Sequence, residues 1–381
     1  LVILPARAIG YCFLINRHAL IGPVTVASAF FQVIYIGGNI ISLVYGVDSV
    51  TQAASRAGTL SLVNLLPLYL TMHLSFLADI FGIPLHIYQQ LHQSCGIMAV
   101  GHIIFHGGVA LTHHSRLSTE MPTTDWYPIM GAALMILLTI LSISPFRRRW
   151  YELFLRLHQL LAVAVVVFVV NHLLSIAKYQ WIPVYIFGGC FCSLEAFYMM
   201  SIVYHNRPGS NSRLKAKYIN DNIVSATITR SRPLTVKPGQ YLNIWVPYLS
   251  LLSIHPFTVV TSWKSSSQTH IRLLIRPRNG FTKKLVRHLC NDQEINLRVF
   301  FSGPHGTSIP VWETDYVLLF ATGFGIVTML PYLTKLVLGS EERRGRGKRV
   351  HLVWQVNNLD LREAVKDIIN PLFKDDNRNS A

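Results

Sequence analysis

Six long apolar runs occupy the first half of the chain, separated by short polar segments. Each run approaches or exceeds the roughly 20 residues that a helix needs to cross the hydrocarbon core of a bilayer. The pattern predicts membrane-spanning helices near residues 23–46, 58–78, 89–112, 128–145, 151–175 and 180–204, of which the fourth is the shortest. We therefore expect a six-helix transmembrane bundle over residues 23–206, with residues 1–22 as an N-terminal flank.

From about residue 207 the apolar runs give way to short segments in which apolar and polar residues alternate. KAKYINDNIVSATI, GQYLNIWVP and HIRLLIRP show this period of two, which is typical of antiparallel strands, and predict a small β-barrel over residues 207–302. Beyond it, TDYVLLFATGFGIVTMLPYLTKLV and RVHLVWQV have the pattern of a strand, a glycine-rich turn, a helix and a second buried strand. This order predicts an α/β nucleotide-binding lobe over residues 303–381.

The composition agrees with membrane embedding, since 51% of the residues are hydrophobic and 14% are charged. A net charge of +16 could indicate nucleic-acid binding, but the basic residues lie largely in loops between the apolar runs and in the second half of the chain. We interpret them as a topology signal and as cofactor contacts, and expect no nucleic-acid partner. The five cysteines show neither a CxxC pair nor a zinc-type spacing.

Lysine and arginine residues near the ends of the apolar runs predict the orientation of the bundle. They cluster before the first run, between the fourth and fifth, and after the sixth, at Arg7, Arg17, Arg147, Arg148, Arg149, Arg207, Arg213, Lys215 and Lys217. With six crossings these places fall on one side, and an excess of basic residues marks the cytosolic side. The chain is therefore predicted to be a multi-pass integral membrane protein whose N-terminal flank and second half are cytosolic.

Two histidine pairs repeat one spacing in the third and fifth apolar runs. His92 and His106 lie fourteen positions apart, as do His158 and His172. A step of fourteen residues advances roughly 21 Å along a helix and returns the side chain to within about 40° of the same face. Because one crossing separates the two runs, their helices must point the same way. This places His92 level with His158, and His106 level with His172.

Each level then offers two imidazoles from facing helices, enough to bind a haem iron on both axial sides. The alternative is a set of isolated polar residues that are buried and hydrogen-bonded, although ionisable groups inside a membrane are costly and usually functional. His102 lies about 80° away from the face of His92 and has no partner at this spacing. For His102 we favour a packing, interfacial or substrate-side role over ligation.

The segment SRAGTLSLVNLLPLYL and the two paired-histidine helices together resemble the ferric reductase transmembrane domain of fungal plasma-membrane metalloreductases. That family belongs to the same superfamily as the NADPH oxidases. The resemblance implies that His92, His106, His158 and His172 are the axial ligands of two b-type haems. It also implies a plasma-membrane location and a dehydrogenase module with a ferredoxin-reductase-like β-barrel that binds FAD.

The HPFT segment of the predicted barrel matches a motif of this family. The resemblance implies that FAD contacts its four residues, His255, Pro256, Phe257 and Thr258. From the residues alone the motif is weaker, since a hydroxyl beside an aromatic ring at a strand edge can bond a flavin but also occurs in unrelated strands.

Two nearby features suit the diphosphate of the same cofactor. A helix is predicted to begin at Gly280, Phe281 and Thr282, where free N–H groups and the positive helix end could bind a pyrophosphate. The alternative is a simple helix start. Arg276 would either neutralise the diphosphate or be an ordinary solvated strand residue.

Two glycine turns mark the nucleotide-binding lobe. Gly303 and Gly306 frame the SGPHG turn, and Gly323 and Gly325 lie in the TGFG turn directly after an apolar strand. A glycine-rich turn between a strand and a helix suits a dinucleotide, which the resemblance implies is NADPH. The family often has Tyr where this chain has His305, and the family's Cys-Gly-Pro motif is absent from this sequence. We therefore expect the lobe to be C-terminally incomplete, which leaves hydride transfer in doubt.

These features predict a transmembrane ferric-chelate reductase that moves electrons from cytosolic NADPH through FAD and two b-type haems to extracytosolic Fe3+ or Cu2+. No side chain is expected to act as a catalytic acid, base or nucleophile, because the cofactors carry the redox chemistry. The expected partners are the lipid bilayer, ferric chelates or siderophores, and iron or copper uptake proteins. Two alternatives are an NADPH oxidase that reduces O2 to superoxide and a non-catalytic haem membrane protein with an incomplete dehydrogenase lobe.

Overall fold

The computed structural model describes residues 13–15, 24–70, 74–82, 85–117, 126–176, 181–206, 212–220, 223–250, 254–265, 267–278, 280–291, 294–338, 349–356 and 359–379. The chain forms two compact units. We call residues 1–74 and 85–195 the helical unit, and residues 75–84 and 196–381 the sheet unit. A short antiparallel pair, β1 (Phe13–Ile15) and β2 (Val24–Thr25), precedes the first helix.

In the described part of the chain, eight helices follow this pair. They are α1 (Val26–Val44), α2 (Val50–Leu70), α3 (Leu74–Phe81), α4 (Leu85–Leu117), α5 (Trp126–Leu141), α6 (Ser144–Arg149), α7 (Tyr151–Ile176) and α8 (Trp181–Asn206). Among the described residues, α1, α4 and α7 contain stretches long and apolar enough to cross a membrane, and α5 is apolar but shorter. A bundle of six crossing helices therefore remains a prediction.

The second predicted span, residues 58–78, differs from the helices observed there. α2 begins earlier, at Val50, and ends at Leu70, and the apolar residues beyond it belong to α3. Pro67 lies in the last turn of α2, where its missing N–H and its ring weaken the helix. Nearly all of α3 belongs to the sheet unit, whereas α2 belongs to the helical unit, so this one apolar run is divided between the two units.

Helix α1 directs polar side chains toward the neighbouring helices α2 and α4 and apolar side chains away from them. Most of its large apolar residues are exposed, Phe31 to 68%. On the opposite face, Ser28 donates to Gln90 Oε1 at 3.0 Å, and Gln32 Oε1 accepts from Ser94 at 2.7 Å. Further along the same face, similar contacts join Tyr35 and Asn39 to Asn64, Cys95 and His102. Such a helix suits a lipid environment, in which polar groups must find partners inside the protein.

The sheet unit contains two antiparallel sheets around one hydrophobic core. Its first elements are β3 (Arg213–Asn220), β4 (Ile223–Arg230), β5 (Tyr241–Trp245), β6 (His255–Thr258), β7 (Thr261–Ser265), β8 (Gln268–Ile275), α9 (Phe281–Asn291), β9 (Glu294–Arg298) and β10 (Phe300–His305). The strand orders are β7-β8-β4-β3-β9 and β10-β5-β6. Both sheets and α9 contribute to the core, with Ile228, Leu242 and Leu285 fully buried. Because the described strands form two sheets, closure into a barrel remains a prediction.

The rest of the sheet unit is an α/β lobe. Strand β11 (Tyr316–Thr322) pairs in parallel with β12 (Arg349–Gln355), and helices α10 (Ile326–Leu338) and α11 (Leu359–Asn379) follow the two strands. Alternate residues of β11, among them Leu319, pack into clusters with residues of both helices. The parallel pairing confirms the predicted strand–turn–helix–strand order.

Candidate functional site

Helices α4 and α7 bring the predicted histidines together in two pairs. The ring centroids of His92 and His158 are 6.1 Å apart, with 46° between the ring planes. Those of His106 and His172 are 6.4 Å apart, with 62° between the planes. Each pair takes one ring from each helix, which is the pairing that the fourteen-residue spacing predicts.

The separation within each pair fits a metal bound between the rings. A bond from a metal to an imidazole nitrogen is about 2.0–2.1 Å long, and that nitrogen lies roughly 1.1 Å from its own ring centre, so two imidazoles on opposite sides of one metal have centroids about 6.3 Å apart. In the described part of the chain, no group of three or more His, Cys, Asp or Glu residues could hold a metal ion. An imidazole pair suits a metal that brings its other ligands with it, as haem iron does.

The second ring nitrogen of two of these histidines has a hydrogen-bond partner. His106 Nδ1 donates to the carbonyl of Ala54 on α2 at 2.8 Å, because a carbonyl can only accept. His158 Nδ1 lies 3.4 Å from Ser142 Oγ. With Nδ1 protonated, Nε2 of His106 carries the lone pair that a metal needs, the usual arrangement for a metal-bound histidine. Gly58 touches the same ring, since a Cβ added there would lie 3.1 Å from His106 Nδ1.

An apolar layer lies between the two histidine levels. Ala99 is midway between His92 and His106 on α4 and is fully buried. Val165 occupies the corresponding midpoint on α7 and is also fully buried. Both belong to one apolar cluster, which is completed by Leu65, Val100 and Met135. The space between the levels along these helices is therefore filled with hydrocarbon.

The predicted flavin residues meet at the edge of the sheet β10-β5-β6. Strand β6, which carries the HPFT segment, is the last strand of this sheet and pairs with β5. The ring of His255 stacks on the ring of Phe281 at the start of α9, with centroids 4.7 Å apart and 27° between the planes. The ring of Phe257 lies 6.0 Å from the same Phe281 ring. Pro256 and Thr258 lie in register with β5. The two sequence segments predicted to bind FAD are thus neighbours.

The turn that enters α9 contains the residues predicted to contact the diphosphate of FAD. Gly280 has a φ of +73°, a conformation that favours glycine. Thr282 Oγ1 accepts a hydrogen bond from the backbone N–H of Arg278 at 2.7 Å, which fixes the turn. Arg276 is exposed at the end of β8, between the sheet and this turn. These residues could bind a diphosphate beside the flavin edge.

The SGPHG turn at the end of β10 is held by a residue that sequence reasoning missed. Asp79 on α3 accepts hydrogen bonds from His305 Nδ1 at 2.5 Å and from the backbone N–H of Gly306 at 2.8 Å. The other ring nitrogen of His305 lies 2.9 Å from Ser302 Oγ. The ring of Tyr241 lies 5.7 Å from that of His305, and burial raises the pKa of the Tyr241 phenol.

One signal could have singled out Asp79. It is the only acidic residue between Asp48 and Glu120, and it follows directly on an apolar run. A lone carboxylate in such a place needs a partner, which here is the SGPHG turn. Within that turn Gly303 and Gly306 have φ values of +114° and +94°, so both predicted glycines adopt a conformation that other residues avoid.

The TGFG turn lies at the carboxyl end of β11, where nucleotides bind in open α/β sheets. Gly323 and Gly325 form a short 3-10 turn, and α10 begins at the next residue. A Cβ added at either glycine would meet nothing within 4 Å, so the turn has an open surface. Trp354 of the neighbouring strand β12 donates its indole N–H to the carbonyl of Gly323 at 3.0 Å, which joins the turn to that strand.

Three family models match consecutive parts of the chain. The ferric reductase like transmembrane component matches residues 57–169, an FAD-binding domain matches residues 210–309, and the ferric reductase NAD binding domain matches residues 314–381. Two of these three models are ferric reductase domains, one on either side of the FAD-binding domain. The chain therefore combines a transmembrane component with FAD- and NAD-binding domains, as the sequence predicted.

The ferric reductases that the chain resembles are distant in sequence. The chain is 26% identical to Ferric/cupric reductase transmembrane component 2 of Saccharomyces cerevisiae over 340 residues, which are 86% of this chain and 46% of that protein. It is 24% identical to Ferric reductase transmembrane component 1 of Schizosaccharomyces pombe, over 72% of this chain and 54% of that protein. It is 25% identical to Ferric reduction oxidase 5 of Arabidopsis thaliana, over 71% of this chain and 39% of that protein. The chain spans about half the length of the curated relatives it matches.

The likeness to solved structures is weaker. A ferredoxin reductase in carbazole 1,9a-dioxygenase is 18% identical to this chain, and the match covers 41% of this chain and 46% of that one, with a TM-score of only 0.32.

Three of the four paired histidines, His92, His106 and His158, lie within the residues matched by the transmembrane component. His172 lies just beyond its last matched residue, and the structure nevertheless places it against His106.

Proposed function

We propose that this chain is a transmembrane ferric-chelate reductase that carries electrons from cytosolic NADPH to Fe3+ or Cu2+ on the opposite side of the membrane. The observation that carries the proposal is the pairing of His92 with His158 and of His106 with His172, at separations that fit a metal between the rings. Two b-type haems, FAD and NADPH supply the electron-transfer chemistry when they are bound. The residues of the chain bind them, orient them and keep water away.

In this proposal the four histidines hold the haem irons, and the side chains around them set ring orientation. The Ala54 carbonyl keeps the His106 ring turned so that Nε2 can bind iron. The apolar layer at Ala99 and Val165 keeps water out between the two levels, which lowers the local dielectric around them. No general acid or base is required, because the reaction moves electrons between cofactors.

The proposed FAD site lies at the open edge of β6 and at the start of α9, and the proposed NADPH site lies on the two glycine turns. The aromatic stack of His255 on Phe281 would support the flavin side of the site. We assign FAD binding to His255, Pro256, Phe257, Thr258, Arg276, Gly280, Phe281 and Thr282. We assign nucleotide binding to Gly303, Gly306, Gly323 and Gly325.

The proposed domains are a cytosolic flank (residues 1–22), a transmembrane di-haem domain (23–206), an FAD-binding β-barrel (207–302) and an NAD(P)-binding lobe (303–381). Two features support a cytosolic dehydrogenase module. The second predicted span ends within α3, most of which belongs to the sheet unit, and the sixth predicted span ends within the part of α8 that belongs to the same unit. In a six-span topology these two segments emerge on one side. We propose the plasma membrane as the location, with ferric chelates or siderophores and metal uptake proteins as partners.

Two simultaneous assays on the purified protein in lipid vesicles test this function. NADPH is added on the side of the sheet unit, and the formation of ferrous chelate and of superoxide is measured together. We expect ferrous chelate to dominate, and to be lost in His106→Ala but kept in His102→Ala, whose ring bonds to Asn39 instead of an imidazole. Dominant superoxide would favour an NADPH oxidase. Haem that stays oxidised with NADPH and FAD present would favour a non-catalytic haem protein.

A further inference from the structure

A basic groove runs over the outer face of the five-stranded sheet. It has a volume of about 580 Å3, and its lining includes Arg213, Lys215, Lys217, Thr227, Thr229 and His270. The three basic residues of β3 alternate with Leu214 and Ala216, which are each 1% exposed and lie in the core. Because successive side chains of a strand point to opposite faces, the three charges all lie on the outer face.

Positive charge in this groove is only partly compensated. Among the described residues that line it, Glu294 alone is acidic, and its carboxylate lies 3.7 Å from Lys215 Nζ. Arg213 lies directly opposite Arg298 on the neighbouring strand β9. Like charges opposite each other destabilise a sheet, so this arrangement favours an anionic partner that lies between them.

Hydroxyl groups line the floor beside these charges. Thr229, Thr227 and Ser225 of β4 lie opposite Arg213, Lys215 and Lys217 of β3, in that order. A row of hydroxyl donors next to a row of cations suits the oxygens of phosphate groups, which accept several hydrogen bonds at once. The length of the row, three residue pairs along one strand, suits several headgroups better than one small anion.

The groove lies near the end of α8, the helix of the sixth predicted span, whose last residues belong to the same unit. Asn206, the last residue of α8, bonds with its side-chain amide to both backbone groups of Phe301, at 2.7 and 3.2 Å. Phe301 follows Arg298 by three residues, and Arg298 lies directly opposite Arg213 of the groove. The preceding turns of α8 expose apolar side chains, including Met200 at 64% and Val203 at 61%. An exposed apolar helix end therefore adjoins the basic face.

We propose that this basic groove binds the headgroups of anionic phospholipids in the leaflet from which α8 emerges. Apolar surface beside clustered Lys and Arg residues is the combination that binds an anionic bilayer surface. An acidic protein partner would match the charge but not the adjoining apolar helix end. This inference depends on the membrane embedding of the chain and not on its electron transfer.

Lysine reactivity in lipid nanodiscs tests the proposal on the unaltered full chain. Nanodiscs of phosphatidylcholine alone are compared with nanodiscs that also contain phosphatidylserine, and acetylation of each lysine by an uncharged reagent is followed by mass spectrometry. We expect Lys215 and Lys217 to react roughly fivefold more slowly in the anionic discs. Lys366 on α11, also exposed, serves as the internal control and should not change. Molar salt should remove the difference, because the Debye length then falls to about 3 Å.

A matched pair of variants locates the effect. Arg213→Glu with Arg298→Glu reverses two exposed charges of the basic face and should remove the slowing at Lys217. Arg362→Glu with Lys366→Glu reverses two exposed charges on α11 and should preserve it. Equal rates in the two kinds of disc, or equal slowing at Lys366, would overturn the proposal. So would slowing produced by inorganic phosphate in neutral discs, which would indicate a small-anion site.

Discussion

Gly58 is the position at which the smallest chemical change should disturb the proposed haem site of His106 and His172. The glycine on α2 faces the His106 ring, and an alanine Cβ there would lie 3.1 Å from both Cε1 and Nδ1 of that ring. Ordinary contacts are 3.4–4 Å, so the ring must retreat by a few tenths of an ångström. It would retreat from the same helix whose Ala54 carbonyl it bonds at 2.8 Å. Gly58→Ala should therefore lengthen or break that hydrogen bond.

The expected size of the effect follows from the role of the bond. A hydrogen bond of this kind contributes about 0.5–1.5 kcal/mol net, and loss of a group that orients a metal-bound histidine typically lowers metal affinity about 10–100-fold. The helix itself should gain, because alanine is more favourable than glycine in a helix interior by about 0.8–1.0 kcal/mol. Gly58→Ala is thus expected to weaken haem binding without unfolding the bundle.

Haem content per chain and the rate of haem transfer to excess apomyoglobin measure this directly. Gly101→Ala is the matched control, since it makes the same change on α4, the helix of His106, where an added Cβ meets nothing within 4 Å. We expect faster haem loss from one of the two sites in Gly58→Ala, and wild-type behaviour in Gly101→Ala. Unchanged haem retention in Gly58→Ala, or the same loss in both variants, would refute the reasoning.

Three further predictions concern the sheet unit. Asp79→Asn removes the charge from a hydrogen bond to His305 worth about 1.5–3 kcal/mol. It should lower both the melting temperature of the unit and its affinity for NADPH, measured by NADPH fluorescence. Burial raises the pKa of Tyr241 in the folded protein above its usual value of about 10. The free energy of unfolding is therefore constant below about pH 10 as far as this group is concerned, and it falls as the pH rises from there through the raised pKa. Tyr241→Phe should flatten this fall in denaturant titrations. Asn206→Ala leaves both backbone groups of Phe301 without their partner and should cost about 1–3 kcal/mol in thermal unfolding.

Periodicity predicted the features that depend on local geometry. The pairing of His92 with His158 and of His106 with His172 follows from residues per turn and from the direction of successive spans, and neither needs knowledge of side-chain packing. The parallel pairing of β11 and β12 was predictable for a similar reason, because two neighbouring strands separated by a helix must cross over. The prediction that the second strand is buried was wrong, since alternate residues of both strands are exposed. The ends of helices were less predictable where one apolar run, residues 58–78, includes both the end of α2 and the start of α3.

The contacts that orient these features join residues far apart in the chain. Asp79 and His305 are separated by 226 positions, and Ala54 and His106 by 52. No period or motif marks such a pair, since nothing in the sequence around Asp79 or Ala54 indicates which histidine it contacts. The polar face of α1 was missed for a different reason. Its four hydrogen-bonding residues lie within a run that is apolar on average. The average hydropathy of the run therefore does not show that these residues share one face of the helix.

The central claim, that two histidine pairs hold two haems, is tested most directly by haem quantitation on single and double histidine variants. The wild type should contain two low-spin b-type haems per chain. His106→Ala, His172→Ala and the double variant should each contain one, because both residues would hold the same iron. His102→Ala should retain two. Two haems in His106→Ala, or a double variant that loses more haem than either single variant, would contradict the assignment.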